Sequence, residues 1–168
     1  KNTFHRSRRS FIKKASIATV GFHIVPRFVM GKGYVPPSDK INLGVIGLGK
    51  QGNILTSYFL GNTQVQIVAG SDVWDSKREW FKQETAKAYE KQRGVTHYNG
   101  VETYLDYREL LDRKDIDGVI IATPDHWHVP ISILAAQAGK HICCEKPTLT
   151  IHEGRVLCDV IKRTDRVF

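Results

Sequence analysis

The chain has 168 residues and a formal net charge of +8, enough length for one buried core of ordinary size. The charge is lopsided: residues 1–40 hold nine Lys/Arg against one Asp, and residues 41–168 hold sixteen Lys/Arg against sixteen Asp/Glu. A basic nucleic-acid face on the larger part is therefore excluded. Three cysteines, Cys143, Cys144 and Cys158, are too few and too odd in number for a disulfide framework, and they lack zinc-type spacing.

The basic segment comes first. Ser7-Arg8-Arg9-Ser10-Phe11-Ile12-Lys13-Lys14 resembles a twin-arginine export signal, and a mildly apolar stretch, Ala15–Met30, follows it. His23, Pro26 and Arg27 interrupt that stretch, which is too short to span a bilayer as a stable helix. Gly31–Lys40 reads as a linker. The export machinery is the partner this segment implies, and the expected location is exported, periplasmic or membrane-proximal. The chain starts at Lys1 without a Met and stops in a strand-like Arg166-Val167-Phe168, so it is read as a fragment. The division expected is 1–40 signal segment and linker, then 41–168 nucleotide-binding domain.

Ile41–Gly52 (INLGVIGLGKQG) is an apolar run that ends in the G-x-G-x-x-G spacing of a dinucleotide-binding turn. Gly47 permits the tight turn, Gly49 a close approach of backbone to pyrophosphate, and Gly52 close packing of the next helix. Lys50 and Gln51 complete the turn, and the pyrophosphate is expected at the helix N-terminus. A helix-compatible segment, Asn53–Leu60, and a second strand, Val65–Val73, come next. Asp72 lies 20 residues past Gly52, the offset expected of the carboxylate that binds the adenosine ribose hydroxyls of NAD. Asp75 competes for that role, and Lys77 and Arg78 leave NADP open.

Ser76–Gln92 is strongly helical, with a Ser76/Glu79 capping box and an apolar face of Trp80, Phe81, Glu84, Ala88 and Tyr89. Val95–Tyr98 is expected as a short third strand, and Asp106 caps a helix over Tyr107–Arg113. Asp117–Thr123 is a continuous apolar strand of the parallel, buried kind. A helix over Val129–Ala138, a strand over Lys140–Cys144 with its cysteines buried, and a helix opened by a Thr150/Glu153 capping box complete the order. Strands alternating with helices through short connections predict an α/β fold, a doubly wound parallel sheet of the Rossmann type.

Ligands of such sheets bind beyond the C-terminal ends of the strands. Two loops stand there. In Thr123-Pro124-Asp125-His126-Trp127-His128, a two-His, one-Asp metal set is weighed against Asp125 capping the next helix while His128 packs beneath the cofactor; the second is favoured, and no metal is expected. Trp127 could wall a sugar site or simply pack. In Glu145-Lys146-Pro147, Lys146 sits where it could hold a substrate hydroxyl beside the nicotinamide, Glu145 could bond a ribose or orient Lys146, and Pro147 would fix the turn.

The glycine turn, Asp72, the Thr123-Pro124 loop with His128 and the strand ending Glu145-Lys146-Pro147 together resemble the Gfo/Idh/MocA oxidoreductases over residues 41–168. The resemblance implies an NAD(P)-dependent enzyme acting on a sugar or polyol, and a second α/β substrate domain absent from this fragment, which alone would be inactive. A homo-oligomer is the expected assembly. It assigns Lys146 as the catalytic lysine. Gly47, Gly49, Lys50, Gln51, Gly52, Asp72, Thr123, Pro124, His128 and Glu145 become cofactor contacts. An NAD-dependent glycosidase that oxidises its sugar transiently is the alternative reaction; a non-catalytic cofactor-binding protein is a third.

Overall fold

The computed structural model describes residues 39–168 apart from Pro147. The twin-arginine-like segment, most of the linker and the turn expected at Pro147 lie outside the described residues. Five parallel strands form one sheet: β1 (Ile41–Ile46), β2 (Val65–Ser71), β3 (Glu102–Tyr104), β4 (Gly118–Ile121) and β5 (His141–Cys144), in the order β3-β2-β1-β4-β5. Five helices connect or follow them: α1 (Lys50–Leu60), α2 (Asp75–Arg93), α3 (Tyr107–Asp112), α4 (His128–Gln137) and α5 (Ile151–Thr164). No helix among the described residues is long and apolar enough to cross a membrane.

Neighbouring residues of each strand point to opposite sides, and the central strands bury residues on both faces of the sheet. Val45 and Ile120 join Leu48, Ile67, Phe81 and Tyr89 in one cluster, against which Leu55 and Phe59 of α1 pack. Ile46 and Ile121, one position along, join Leu110, Ile131, Ala135 and Val160 in the other. This is why β4 reads as an unbroken apolar run: all four of its residues are buried, and each large side chain contributes about 1.5–3 kcal/mol. The doubly wound order places the C-terminal ends of β1 and β4 side by side, with the connections from them leaving in opposite directions. That is the crevice in which such sheets take their ligands.

Several local expectations are corrected. The helix expected at Asn53 starts three residues earlier, at Lys50, inside the glycine turn. The Ser76/Glu79 capping box does not form. α2 begins at Asp75, the Asp72 carboxylate accepts from the Trp74 N–H (3.0 Å), and Glu79 reaches forward to Gln83 (2.6 Å). Trp74 is the residue at the helix entry, and no side chain caps it. The buried stripe of α2 is Phe81, Thr85 and Tyr89, at i, i+4, i+8. Trp80, about 100° further round, is half exposed, and Glu84 is exposed.

The third strand is Glu102–Tyr104, not Val95–Tyr98. Tyr98 instead leans on Tyr89, with ring centroids 4.9 Å apart, and Arg93 lies over both rings. Asp106 caps α3 as expected, accepting from the Arg108 N–H (2.9 Å), and the Thr150/Glu153 capping box of α5 is complete. Cys143, expected to be buried, is exposed, and Cys144 is half-buried; burial pushes the Cys144 thiol up to about 11. β5 is the last strand of the sheet, so only Ile142 in it is fully covered. Arg166–Phe168 is not a strand, yet it runs beside β5: Ile142 N–H donates to the Val167 carbonyl (2.9 Å), and Val167 N–H donates to His141 Nδ1 (3.0 Å).

Candidate functional site

The glycine turn follows β1 at the crevice, and its glycines divide the work as the spacing implies. Gly47 has φ +92°, and a Cβ there would meet the Ala122 carbonyl at 2.7 Å and the Thr123 nitrogen at 2.8 Å. A Cβ at Gly52 would collide with the Gly47 carbonyl oxygen, so the first turn of α1 lies directly on the loop. Gly49 differs: a Cβ there would meet nothing within 4 Å. No packing among the described residues requires glycine at 49. The open side of the turn, where the first amides of α1 lack an i−4 partner, is what a diphosphate needs.

Asp72, one residue past β2, joins the turn directly. Its Oδ2 accepts from the Leu48 N–H at 2.9 Å, and its side chain is only 8% exposed. Asp75, the competitor, points elsewhere: its carboxylate is 92% exposed and pairs with Arg78. Lys77 Nζ stands 3.8 Å from Asp72 Oδ2, and Arg78 donates to the Asp72 carbonyl (2.6 Å). A carboxylate disfavours a 2′-phosphate, but the two adjacent cations soften that bias.

The loop after β4 folds as a short 3-10 turn, Asp125–Trp127, which runs straight into α4. The expected capping of α4 by Asp125 therefore does not form. Its Oδ1 accepts from the neighbouring His126 N–H (2.9 Å), and Trp127 precedes the helix without a side-chain cap. His128, the first residue of α4, is buried, with Nε2 2.8 Å from the Thr123 carbonyl. A carbonyl can only accept, so Nε2 carries the proton. His126 is exposed, lies 3.7 Å from Asp125 and tilts against the half-exposed Trp127. The two histidines thus diverge, and among the described residues no group of three or more His, Cys, Asp or Glu is placed to hold a metal. The Thr123 Oγ1 is buried with no hydrogen-bond partner among the described residues. The Ser132 hydroxyl is in the same condition. Pro124, exposed, heads the 3-10 turn, its carbonyl accepting from the Trp127 N–H (2.9 Å).

The loop after β5 completes the ring. Glu145 N–H donates to the Ile121 carbonyl (2.9 Å), which extends the sheet by one bond. Its Oε1 accepts from Gln51 Nε2 (2.6 Å), and its Oε2 from the Lys146 N–H (3.2 Å). The Gln51 hydrogen bond, then the Lys146 amide, hold the Glu145 carboxyl below its usual range. A surface salt bridge between Glu145 and Lys146 does not form. Lys146 is exposed, its backbone N–H is bonded to Glu145, and its ammonium has no hydrogen-bond or ion-pair partner among the described residues. Beside it opens a cavity of about 110 Å³, lined by His128, Ser132, Cys144, Glu145, Thr148, Leu157 and Phe168. That is room for a few waters only.

Every candidate residue thus lies at one end of the sheet, in the turns after β1, β2, β4 and β5. Two features escape sequence reasoning. The Gln51–Glu145 bond joins residues 94 apart, and no local pattern signals it. The orphaned Thr123 hydroxyl is likewise a property of packing, invisible in the run DGVIIATP.

The curated relatives share this chain's length only in part. A glycosyl hydrolase family 109 protein of Shewanella baltica is 31% identical over 95% of this chain and 38% of its own. An alpha-N-acetylgalactosaminidase of Shewanella oneidensis is also 31% identical, over the same shares. The chain therefore spans well under half the length of these relatives. Among solved structures, scyllo-inositol dehydrogenase from Lactobacillus casei, with bound NAD(H) and scyllo-inositol, is 27% identical over 76% of this chain and 34% of that one, with a TM-score of 0.64. The family model described as oxidoreductase family, NAD-binding Rossmann fold, matches residues 41–168. A five-stranded parallel sheet, a glycine turn built for a diphosphate and a match over the whole described domain agree: this chain belongs to the Gfo/Idh/MocA oxidoreductase family and carries its NAD-binding Rossmann domain.

Proposed function

We propose that the full-length protein oxidises or reduces a hydroxyl-bearing carbon of a sugar, polyol or sugar derivative with NAD, Lys146 acting at the substrate hydroxyl. The observation that carries this reading is the Lys146 ammonium, exposed and without a partner among the described residues, at the end of β5 and one residue from a carboxylate tied to the glycine turn. The cofactor, when bound, accepts or supplies the hydride. Gly49 and the first amides of α1 hold its diphosphate, Asp72 its adenosine ribose, and Thr123, Pro124 and His128 line its path across the crevice. Glu145 holds the nicotinamide ribose. Lys146 Nζ hydrogen-bonds the substrate oxygen and favours its alkoxide form. The relatives are more than twice as long as the stretch matched here, and on this reading chain of that kind supplies the rest of the substrate pocket.

A second reaction shares the same site: transient oxidation of a sugar followed by loss of its glycosidic substituent, with the cofactor regenerated. The curated relatives named as a glycosyl hydrolase and an alpha-N-acetylgalactosaminidase favour it. One assay separates the two. The full-length protein is given NAD with a panel of inositols, sugars and chromogenic glycosides, and both NADH and released product are measured. NADH formed in step with substrate consumed supports the dehydrogenase. Chromophore released without net NADH supports the glycosidase. Neither signal, with NAD bound, supports a non-catalytic cofactor-binding protein.

The same proposal includes export. The Ser7–Lys14 pattern supports it. Changing Arg8→Lys together with Arg9→Lys is expected to leave the full-length protein in the cytoplasm. Fractionation that finds the variant exported as well as the wild type would refute the signal.

A further inference from the structure

We propose that Gln51 is a positioning residue, holding Glu145 and the start of the Lys146 loop against the glycine turn by the hydrogen bond that joins the two across the end of β4. It rests on NAD binding by this domain and not on which substrate the whole protein takes.

Strand order creates the contact. Gln51 sits in the first turn of α1, after β1, and Glu145 follows β5, with β4 between them. Two strand spacings separate their strands, about 10 Å, and two extended side chains cover that span. The bond is short, 2.6 Å, and ends on a carboxylate whose other oxygen accepts from the Lys146 N–H. The backbone beneath it is fixed as well, the Glu145 N–H donating to the Ile121 carbonyl. A side chain bonded through both oxygens on a fixed backbone loses less freedom when it works than a surface pair held by one contact. The donor type matters too. A Gln amide favours the ionised carboxylate without adding a positive charge, so Lys146 stays the cation of its loop. Gln51 lies between Gly49 and Gly52, so the segment that meets the diphosphate also aims the residue beside the nicotinamide end. The depressed carboxyl of Glu145, whose largest cause is the Gln51 bond, agrees with this arrangement.

The test is a double-mutant cycle in the full-length protein, with NAD binding read by calorimetry. Gln51→Leu and Glu145→Ala are each expected to weaken NAD about three- to tenfold, and the double variant to bind no worse than the weaker single one. Gln51→Met should repeat the Gln51→Leu result; both positions are on the surface, so folding is retained. A second readout needs no cofactor. The Glu145 carboxyl, followed by carbon NMR, should titrate at higher pH in Gln51→Leu than in the wild type. Additive losses would mean that Gln51 touches the cofactor independently of Glu145, and would overturn the proposal. So would an unmoved Glu145 titration, or a Gln51→Leu variant that binds NAD like the wild type. Failure to turn over any sugar would refute the proposed reaction and leave this cycle unaffected.

Discussion

Lys146→Ala in the full-length protein is expected to cut turnover by about 10²–10⁴-fold, the range a group that manages a proton in the transition state supplies. NAD affinity should stay within about fivefold, because Lys146 is exposed and the loss of one solvated charge costs about 1 kcal/mol at most. That split between chemistry and binding is the signature of a residue that works on the substrate. The measurement is steady-state turnover beside calorimetric NAD binding. Unchanged turnover would remove Lys146 from the reaction. An equal collapse of binding and turnover would make it a cofactor anchor instead.

The glycine turn yields the other large effect, and its three positions should part company. Gly52→Val places a side chain into the Gly47 carbonyl, so α1 or the turn must move. Overpacking of this kind costs about 1–3 kcal/mol, and the site for the diphosphate is distorted with it. The expected outcome is a lower denaturation midpoint together with loss of measurable NAD binding. Gly49→Ala meets nothing among the described residues, so the midpoint should stay where it is. Its methyl group instead occupies the space in front of the turn, and NAD affinity should fall at least about tenfold, or 1.4 kcal/mol. Denaturant melts and calorimetry on the two variants make the comparison. Wild-type NAD binding by Gly49→Ala would show that the diphosphate does not approach there. In that case the turn is only a tight connection between β1 and α1.

The reach of local reading can be judged at α2 and at Asp72. Apolar runs identified β1, β2, β4 and β5, and the Thr150/Glu153 pattern identified the start of α5, because each depends on residues a few positions apart. The Ser76/Glu79 pattern was equally good locally and did not form. α2 instead begins at Asp75 without a side-chain cap, and the Asp72 carboxylate ahead of it accepts from both the Trp74 and the Leu48 N–H. β3 was misplaced because Tyr98 is spent on Tyr89 and Arg93, a packing that no alternation of apolar and polar residues signals. Cys143 was misread for a related reason: HICC looks like a buried strand, but β5 ends the sheet.

For the candidate site, residue types and spacing point to its parts. Glycine is demanded by backbone geometry within one turn, Asp72 by a fixed strand–helix–strand length, and Lys146 by its place at a strand end. Such constraints are short-range and survive in a string of letters. Which parts meet is a matter of strand order. Placing β4 between β1 and β5 sets Gln51 opposite Glu145, leaves the Thr123 hydroxyl buried without a partner among the described residues, and turns His128 inward while His126 faces solvent. Contacts between residues 94 apart exist only once both faces of the sheet are packed, because it is the burial of Val45 on one side and Ile46 on the other that fixes where each turn emerges.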